Sequence, residues 1–378
     1  MRIDSVDLHE DLPTQLVDWW RGAVSACPQP PTGSDMTTSP EWHGALAHAF
    51  MGGERAQVLV ARGTDGATVA ALPVFRRLGK GGRRFGDVLA LPTEAYGGRV
   101  TILSGPDLGE APGRLLQQLD QEYPEWSQLE MTLASGNQCS EKFLAAALAG
   151  VSAIESEVLP ASPYIVLPDS FETYFMTLRP SFRTEVRRGE RRLRELGRLE
   201  RRLYSTTTDV EPLWDAVCSI ERASWKEAAG TSITTNPAQE RFYQEFLPRG
   251  AAAGQLLSTV LYLDDRPIAH KLCLHQDRVA AILKMSYVED LKRFYPSTVL
   301  LAGYLEELIA RGARYLDFMG VCDEFKMRWT NLTYSRTKYI LFRRSLRGRL
   351  DHIRYRAARC LARLRNRQHI SNTAADNA

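Results

Sequence analysis

Residues 313–329 read ARYLDFMGVCDEFKMRW. The first half has the character of a buried strand: Tyr315, Leu316, Phe318 and Met319 form a short apolar run that Gly320 ends. A carboxylate, Asp317, sits inside that run. Burying an ionised carboxylate is costly unless something pairs with it, and Lys326 and Arg328 lie just downstream among Asp323, Glu324 and Trp329.

Upstream, residues 297–311 have helical spacing and stop at Gly312. Before them come a loop, 289–296, and three strand-like runs, 256–263, 268–275 and 279–288. Asp264-Asp265-Arg266-Pro267 and Gln276-Asp277 separate these runs. Connections this tight predict antiparallel neighbours. Earlier still, 238–247 reads as a helix. So does 212–228, with Leu213, Trp214, Val217, Ile220 and Trp225 on one face.

Ser170 opens another helix, and an arginine-rich segment follows it. Residues 179–202 carry ten Arg and four Glu, a net of +6. The sparse apolar positions of 179–203, Val186, Leu193, Leu196, Leu199 and Leu203, predict either a solvated charged helix packed by one narrow stripe or a surface for anionic partners. Residues 343–367 carry ten Arg and one Asp, a net of +9. Against an overall +3 the remainder is acidic, at −12. The tail predicts a basic helix with Leu346, Leu350, Ile353, Ala357 and Leu361 as its stripe. Docking on the acidic body is favoured over anionic lipid or nucleic acid as its partner. Residues 370–378 read as disordered.

The first 150 or so residues read as a mixed α/β unit. Helices are expected over 12–27 and over 40–50, with Ser39 as cap and Pro40 at the first helical position. Residues 57–62 and 68–75 flank a Gly63-Thr64-Asp65-Gly66 turn, which predicts a hairpin. A helix at 115–123, a strand at 128–133 and a helix at 141–149 follow. The segment 76–84, RRLGKGGRR, reads as a solvated loop, because it lacks the spacing of a phosphate-binding loop. An apolar run between prolines at 160–168 marks the boundary between two lobes.

At 378 residues with 44% hydrophobic and 25% charged residues, the composition is that of a soluble globular protein of about two domains. No apolar run reaches membrane-spanning length, and the N-terminus lacks a signal-peptide core. Six cysteines without a C-x-x-C pair fit free thiols in the cytoplasm.

Four pieces then carry a family resemblance: SFRTEVRRGERRLRELG, DDRPIAHKL, KRFYPSTVLLAGYLEELIARG and YLDFMGVCDEFKMRW. Together they resemble the BioF2-like, CelD/BcsL-type GNAT acetyltransferases, distant relatives of the Fem-type aminoacyl transferases. The last piece is similar to that family's D-F-x-x-G…[YF]-K-x-x-W pattern, with Phe325 before Lys326. The resemblance implies a mixed-sheet α/β fold of two tandem GNAT-like lobes. These are a degenerate one over 1–160 and a working one over 161–345, followed by a basic helical tail over 346–378. It implies an N-acyltransferase that uses acetyl-CoA or another acyl-CoA, with no metal, on an amine of a small molecule or saccharide precursor. One feature departs from the GNAT pattern. The pyrophosphate loop that the family builds as R/Q-x-x-G-x-G/A falls here at 291–297, which has no glycine. That leaves a carrier-protein thioester or an aminoacyl-tRNA as other donors, and a binding module for nucleic acid or membrane as the non-catalytic alternative.

N-acyl transfer needs a deprotonated amine, a donor for the developing oxyanion and a proton for the leaving group. Asp317 and His270 are candidate bases, and Lys326 a candidate anchor for an anion. His270 alternates with Lys271 along its strand, so the two face opposite sides; a core histidine is its other reading. Lys292, Arg293 and Ser297 are candidates for the donor's phosphates, with Lys284 and Ser286 lining the cleft. Cys322 lacks a nearby histidine to activate it as a nucleophile.

Overall fold

The computed structural model describes residues 1–26, 36–50, 55–77, 87–90, 103–104, 109–134 and 138–375. Cys27, residues 78–84 of the basic glycine-rich segment and residues 376–378 lie outside them. The N-terminal half runs β1 (Arg2–Asp7), α1 (Thr14–Ala26), α2 (Pro40–Phe50), β2 (Ala56–Arg62), β3 (Thr68–Arg77) and β4 (Asp87–Ala90). It continues through β5 (Leu103–Ser104), α3 (Ala111–Glu122), β6 (Trp126–Ala134) and α4 (Gln138–Ala147). Ser39 caps α2 by accepting from the Trp42 N–H at 3.2 Å. The β2–β3 hairpin turns at Gly66, whose φ of 80° is the left-handed value that favours glycine.

The chain then enters the long strand β7 (Val151–Val166) and the helices α5 (Phe171–Thr177) and α6 (Pro180–Leu196). After β8 (Leu199–Tyr204) come α7 (Val210–Arg222), α8 (Trp225–Ala228) and α9 (Pro237–Ala252). The meander is β9 (Ser258–Leu263), β10 (Arg266–Gln276) and β11 (Val279–Tyr287). The last elements are α10 (Pro296–Ala310), β12 (Tyr315–Asp317), α11 (Glu324–Met327), β13 (Thr333–Arg343) and α12 (Leu346–Ala375).

The described strands form one mixed sheet, ordered β1-β2-β3-β4-β6-β13-β7-β12-β11-β10-β9-β8, with β5 on β3. Residue 160 lies inside β7, which pairs with β13 along most of its length and with β12 at its end. β13 in turn pairs with β6, so two strands carry the sheet from one half of the chain to the other. One apolar core runs through both halves, with Trp42 of α2 against Phe242 and Phe246 of α9 at 4.8 and 5.0 Å between ring centroids. A second core fills the other face of the C-terminal strands, where α5, α6 and α10 pack.

Four expectations are corrected. Leu199 and Leu203 do not continue the α6 stripe but belong to β8, and Leu196 is exposed. The helix stops at Gly197, where the backbone becomes extended; the Asp264 carboxylate occupies the space a Cβ would need there and accepts from the Arg198 N–H at 2.7 Å. The buried stripe is Phe182, Val186, Gly189 and Leu193. The helix expected over 212–228 breaks at Ser224, which is extended, so Trp225 leaves the buried face and is 49% exposed. β12 ends at Asp317 rather than Met319. Met319 is left-handed, with φ of 59°, and its N–H is held by the Asp317 carboxylate at 2.7 Å. Finally, α12 does not dock by its apolar stripe: Leu346, Leu350, Ile353 and Leu361 all face outward.

Candidate functional site

β11 and β12 are parallel neighbours for three pairs only, Val279↔Tyr315, Ala280↔Leu316 and Ala281↔Asp317. Beyond them no described strand pairs with 282–287 on the β12 side, while β10 continues to pair on the other. Parallel strands that part at their carboxyl ends open a crevice there. The crevice here has a volume of about 730 Å³. Its walls are β11 from Ile282 to Tyr287 and the segment from Phe318 to Lys326, with Trp225, Lys226, Gln239, Tyr243 and Ser297 closing the ends.

The crevice opens to both faces of the sheet. On β11, Lys284 and Ser286 share the face of α7–α9, since Ser286 lies opposite His270. The Lys284 Nζ donates to the Thr231 carbonyl at 3.0 Å and to Gln239 Oε1 at 3.1 Å. Lys226 Nζ donates to the Met285 carbonyl. Ser286 Oγ is buried and meets no partner among the described residues. On the α10 face, Lys271 is fully buried, its Nζ 3.2 Å from Ser297 Oγ and 5.4 Å from the centre of the Phe325 ring.

Among the described residues none of Lys226, Lys271 and Lys284 forms an ion pair. Burial pushes the Lys271 ammonium down to about 7 and, with repulsion from Lys284 and Lys326 added, Lys226 down to about 8. Lys284 is lowered by burial too. Lys226 and Lys284 both feel the Glu221 carboxylate without an ion pair to it, and Lys271 is half neutral near pH 7.

Two of the three residues expected to do chemistry do not line the crevice. Asp317 is buried at the end of β12, where its carboxylate accepts from the Tyr334 hydroxyl at 3.0 and 3.2 Å and from the Met319 N–H. His270 is in the core, with Nε2 3.0 Å from Glu221 Oε1. Burial holds His270 below its ordinary range. For Glu221 burial acts upward but is outweighed by the His270 hydrogen bond and the Lys226 and Lys284 charges, so the carboxyl stays low. Lys326 does line the crevice; it is held by Asp323 Oδ2 and the Val321 carbonyl, both at 2.8 Å. Arg328 pairs with Glu185 at 2.7 Å.

Lys284, Ser286 and Ser297 line the crevice, whereas Lys292 and Arg293 lie outside it, exposed on the 3-10 turn before α10. There Tyr295 is left-handed, with φ of 56°, at a position where a glycine would be unstrained. Its carbonyl takes the Thr298 and Val299 N–H groups, both at 3.0 Å, and Pro296 has none to offer. The start of α10 is thus largely satisfied internally and makes a poor anion cradle. Cys322 is exposed, its thiol donating to the Ala161 carbonyl at 3.2 Å. The sequence reading passed over Lys226 and did not select Lys271. Lys271 had a signal: beside His270, it stands in an otherwise apolar run, 268–274, of a strand covered on both faces.

The description "Acetyltransferase (GNAT) domain" belongs to the family model that matches residues 180–327, the span that builds both walls of the crevice. Among solved structures, a conserved protein of unknown function from Bacteroides thetaiotaomicron VPI-5482 is similar at 12% identity and a TM-score of 0.58, covering 88% of this chain and 99% of that one. FemX is similar at 11% identity and a TM-score of 0.58, covering 89% and 96%. A tandem GNAT protein from the clavulanic acid biosynthesis pathway is similar at 14% identity and a TM-score of 0.50, covering 90% and 98%. At these identities the likeness is one of fold. No curated protein matches. The fold is a mixed α/β sheet with tandem GNAT-type relatives, and the domain match indicates an acyltransferase.

Proposed function

We propose that the protein is an N-acyltransferase that takes its acyl donor, first of all acetyl-CoA or another acyl-CoA, into the crevice between β11 and β12. The observation that supports this most is the early parting of those strands. It leaves one edge of β11 unpaired over 282–287, and a free strand edge captures an extended amide-bearing chain by main-chain hydrogen bonds. The pantetheine arm of coenzyme A is such a chain, and Ser297 and Lys326 stand at the walls beside it. For the phosphates, Lys292 and Arg293 on the turn before α10 are the available charges.

In this reading the acceptor enters from the α7–α9 face. Its amine nitrogen attacks the thioester carbonyl, the C–N bond forms, the C–S bond breaks and the thiolate leaves. The N–H groups of the β11 edge and the Lys326 ammonium are the donors for the oxyanion. Lys271, neutral in part at pH 7, takes up the proton the amine releases by way of Ser297 Oγ. Asp317 acts as a positioning residue, fixing the backbone at Met319 where the crevice wall begins. Lys226 and Lys284, which form no ion pair among the described residues and stand beside the acceptor's entry, favour an amine that also carries a carboxylate or phosphate. An amino sugar phosphate or an amino acid fits that description.

A second reading has one observation in its favour. Phe294 and Tyr295 fill the place of a glycine loop and α10 offers few free amides, so a Fem-like enzyme using an aminoacyl-tRNA ester would lose nothing here. The test is to incubate the protein with acetyl-CoA and a panel of amines, following unfolding temperature and free thiol. Stabilisation by acetyl-CoA and thiol release are expected. Both should fall by about tenfold or more in Lys326→Ala, and thiol release in Asp317→Ala. Stabilisation by charged tRNA, with no response to any acyl-CoA, would instead select the second reading.

A further inference from the structure

Leu346, Leu350, Ile353, Ala357 and Leu361 recur at intervals of three and four residues, so they share one face of α12. The opposite face is the docked one. Gly348 lies against the Arg343 carbonyl, and His352 lies 4.8 Å from the Phe342 ring with Nε2 2.7 Å from Glu155. Tyr355 packs on the same ring, and Arg359 donates to the Ser156 carbonyl at 3.2 Å. These contacts fix the rotation of the helix about its axis, and they leave the apolar row pointing away from the protein. Leu346 is 81% exposed and Ile353 64%, and no described residue covers them.

Charge flanks that row on both sides. Arg347 and Arg354 stand one residue after stripe positions, about 100° round on one side. Arg349 and Arg356 stand on the other. Their side chains are exposed, and Asp351 is the one acidic residue over 343–367. An apolar row between two rows of arginine is the pattern of a helix lying in the headgroup region of a bilayer. The leucines enter the acyl boundary and the long guanidinium arms reach back to phosphates. RNA would use the arginines but would gain nothing from exposed leucines. No described helix is long and apolar enough to cross a membrane, so contact of this kind lies on the surface.

We propose that α12 seats the protein on an anionic membrane surface, its outward row Leu346, Leu350, Ile353 and Leu361 entering the bilayer interface and its flanking arginines binding lipid phosphates. The inference does not depend on the acyltransferase reading. The test is vesicle flotation of the full-length protein with phosphatidylcholine alone and with phosphatidylglycerol added. The wild type should float with the anionic vesicles and much less with the neutral ones. Leu350→Glu combined with Ile353→Glu should weaken binding by about tenfold or more. Both positions are exposed, so the unfolding temperature of this variant should match the wild type and exclude misfolding as the cause. Arg354→Gln combined with Arg356→Gln should weaken binding to anionic vesicles while leaving the residual neutral binding in place. Flotation unchanged by the two glutamates overturns the proposal. So does failure to float coupled with a dimer that those glutamates dissociate, or with RNA binding that they leave intact.

Discussion

Lys271 is fully buried, has no ion pair among the described residues and lies beside a hydroxyl and an aromatic ring. Its amine titrates at about 7 in the fold against 10.5 when free. Between those values the unfolded chain holds a proton that the folded one has lost, so stability contributed at this position rises with pH across the window. Below about 7 the full cost of a buried ammonium is present, on the order of 5 kcal/mol by the size of the shift. Lys271→Met removes that cost. Its gain in urea midpoint should therefore be large near pH 6 and small near pH 10, and an equal gain at both would mean the amine is not buried as described. Neighbouring residues show how much of the site could be read beforehand. Lys326, Lys284, Ser286 and Ser297 were legible because a cation or hydroxyl on a strand or helix start next to a crevice stays beside it. Asp317 and His270 were legible only as buried polar groups. Sequence spacing does not say which partner a buried group finds, and here Tyr334 and Glu221, from distant parts of the chain, supply them.

Among elements, the close approach of α6 to the start of α10 shapes the wall behind the crevice. A Cβ at Gly189 would stand 2.8 Å from the Phe294 carbonyl oxygen and 3.2 Å from Val299 Cγ2. Gly189→Ala should therefore cost about 1–3 kcal/mol despite alanine's higher helix propensity. Gly22, in α1 with nothing within 4 Å of its Cβ position, should gain up to about 1 kcal/mol from the same change. Denaturant unfolding of the two variants checks both signs, and a stabilised Gly189→Ala would contradict this packing. The meander, α10 and the β2–β3 hairpin were readable because periodicity and turn residues agree there. β7 was not. Its middle is polar and exposed and it contains Pro160 and Pro163, which usually mark a strand's edge or a break. They sit near the register shift opposite Tyr334 and Arg336, where the ladder tolerates a missing N–H. The half of β13 from Thr333 to Lys338 is held by pairing with β6 and β7 rather than by an apolar pattern, so it carries little signal in the sequence.

At the scale of the described chain, one sheet runs through both halves of the sequence, and the crevice opens in the C-terminal half where β11 and β12 part. The basic helix α12 is attached at the far side of β13, against β6 and β7, so surface binding and the crevice belong to different parts of the sheet. Both arginine-rich segments were visible in composition; which of them offers an apolar face outward depended on packing.

The central claim is that the free edge of β11 receives the acyl donor. Amide hydrogen exchange over 282–287, measured with and without saturating acyl-CoA, tests it most directly. Alternate amides of that edge should slow by about tenfold or more when the donor binds, with Phe318 to Lys326 protected alongside. A donor that binds tightly yet leaves 282–287 exchanging as before, protecting some other face of the sheet, would contradict the account.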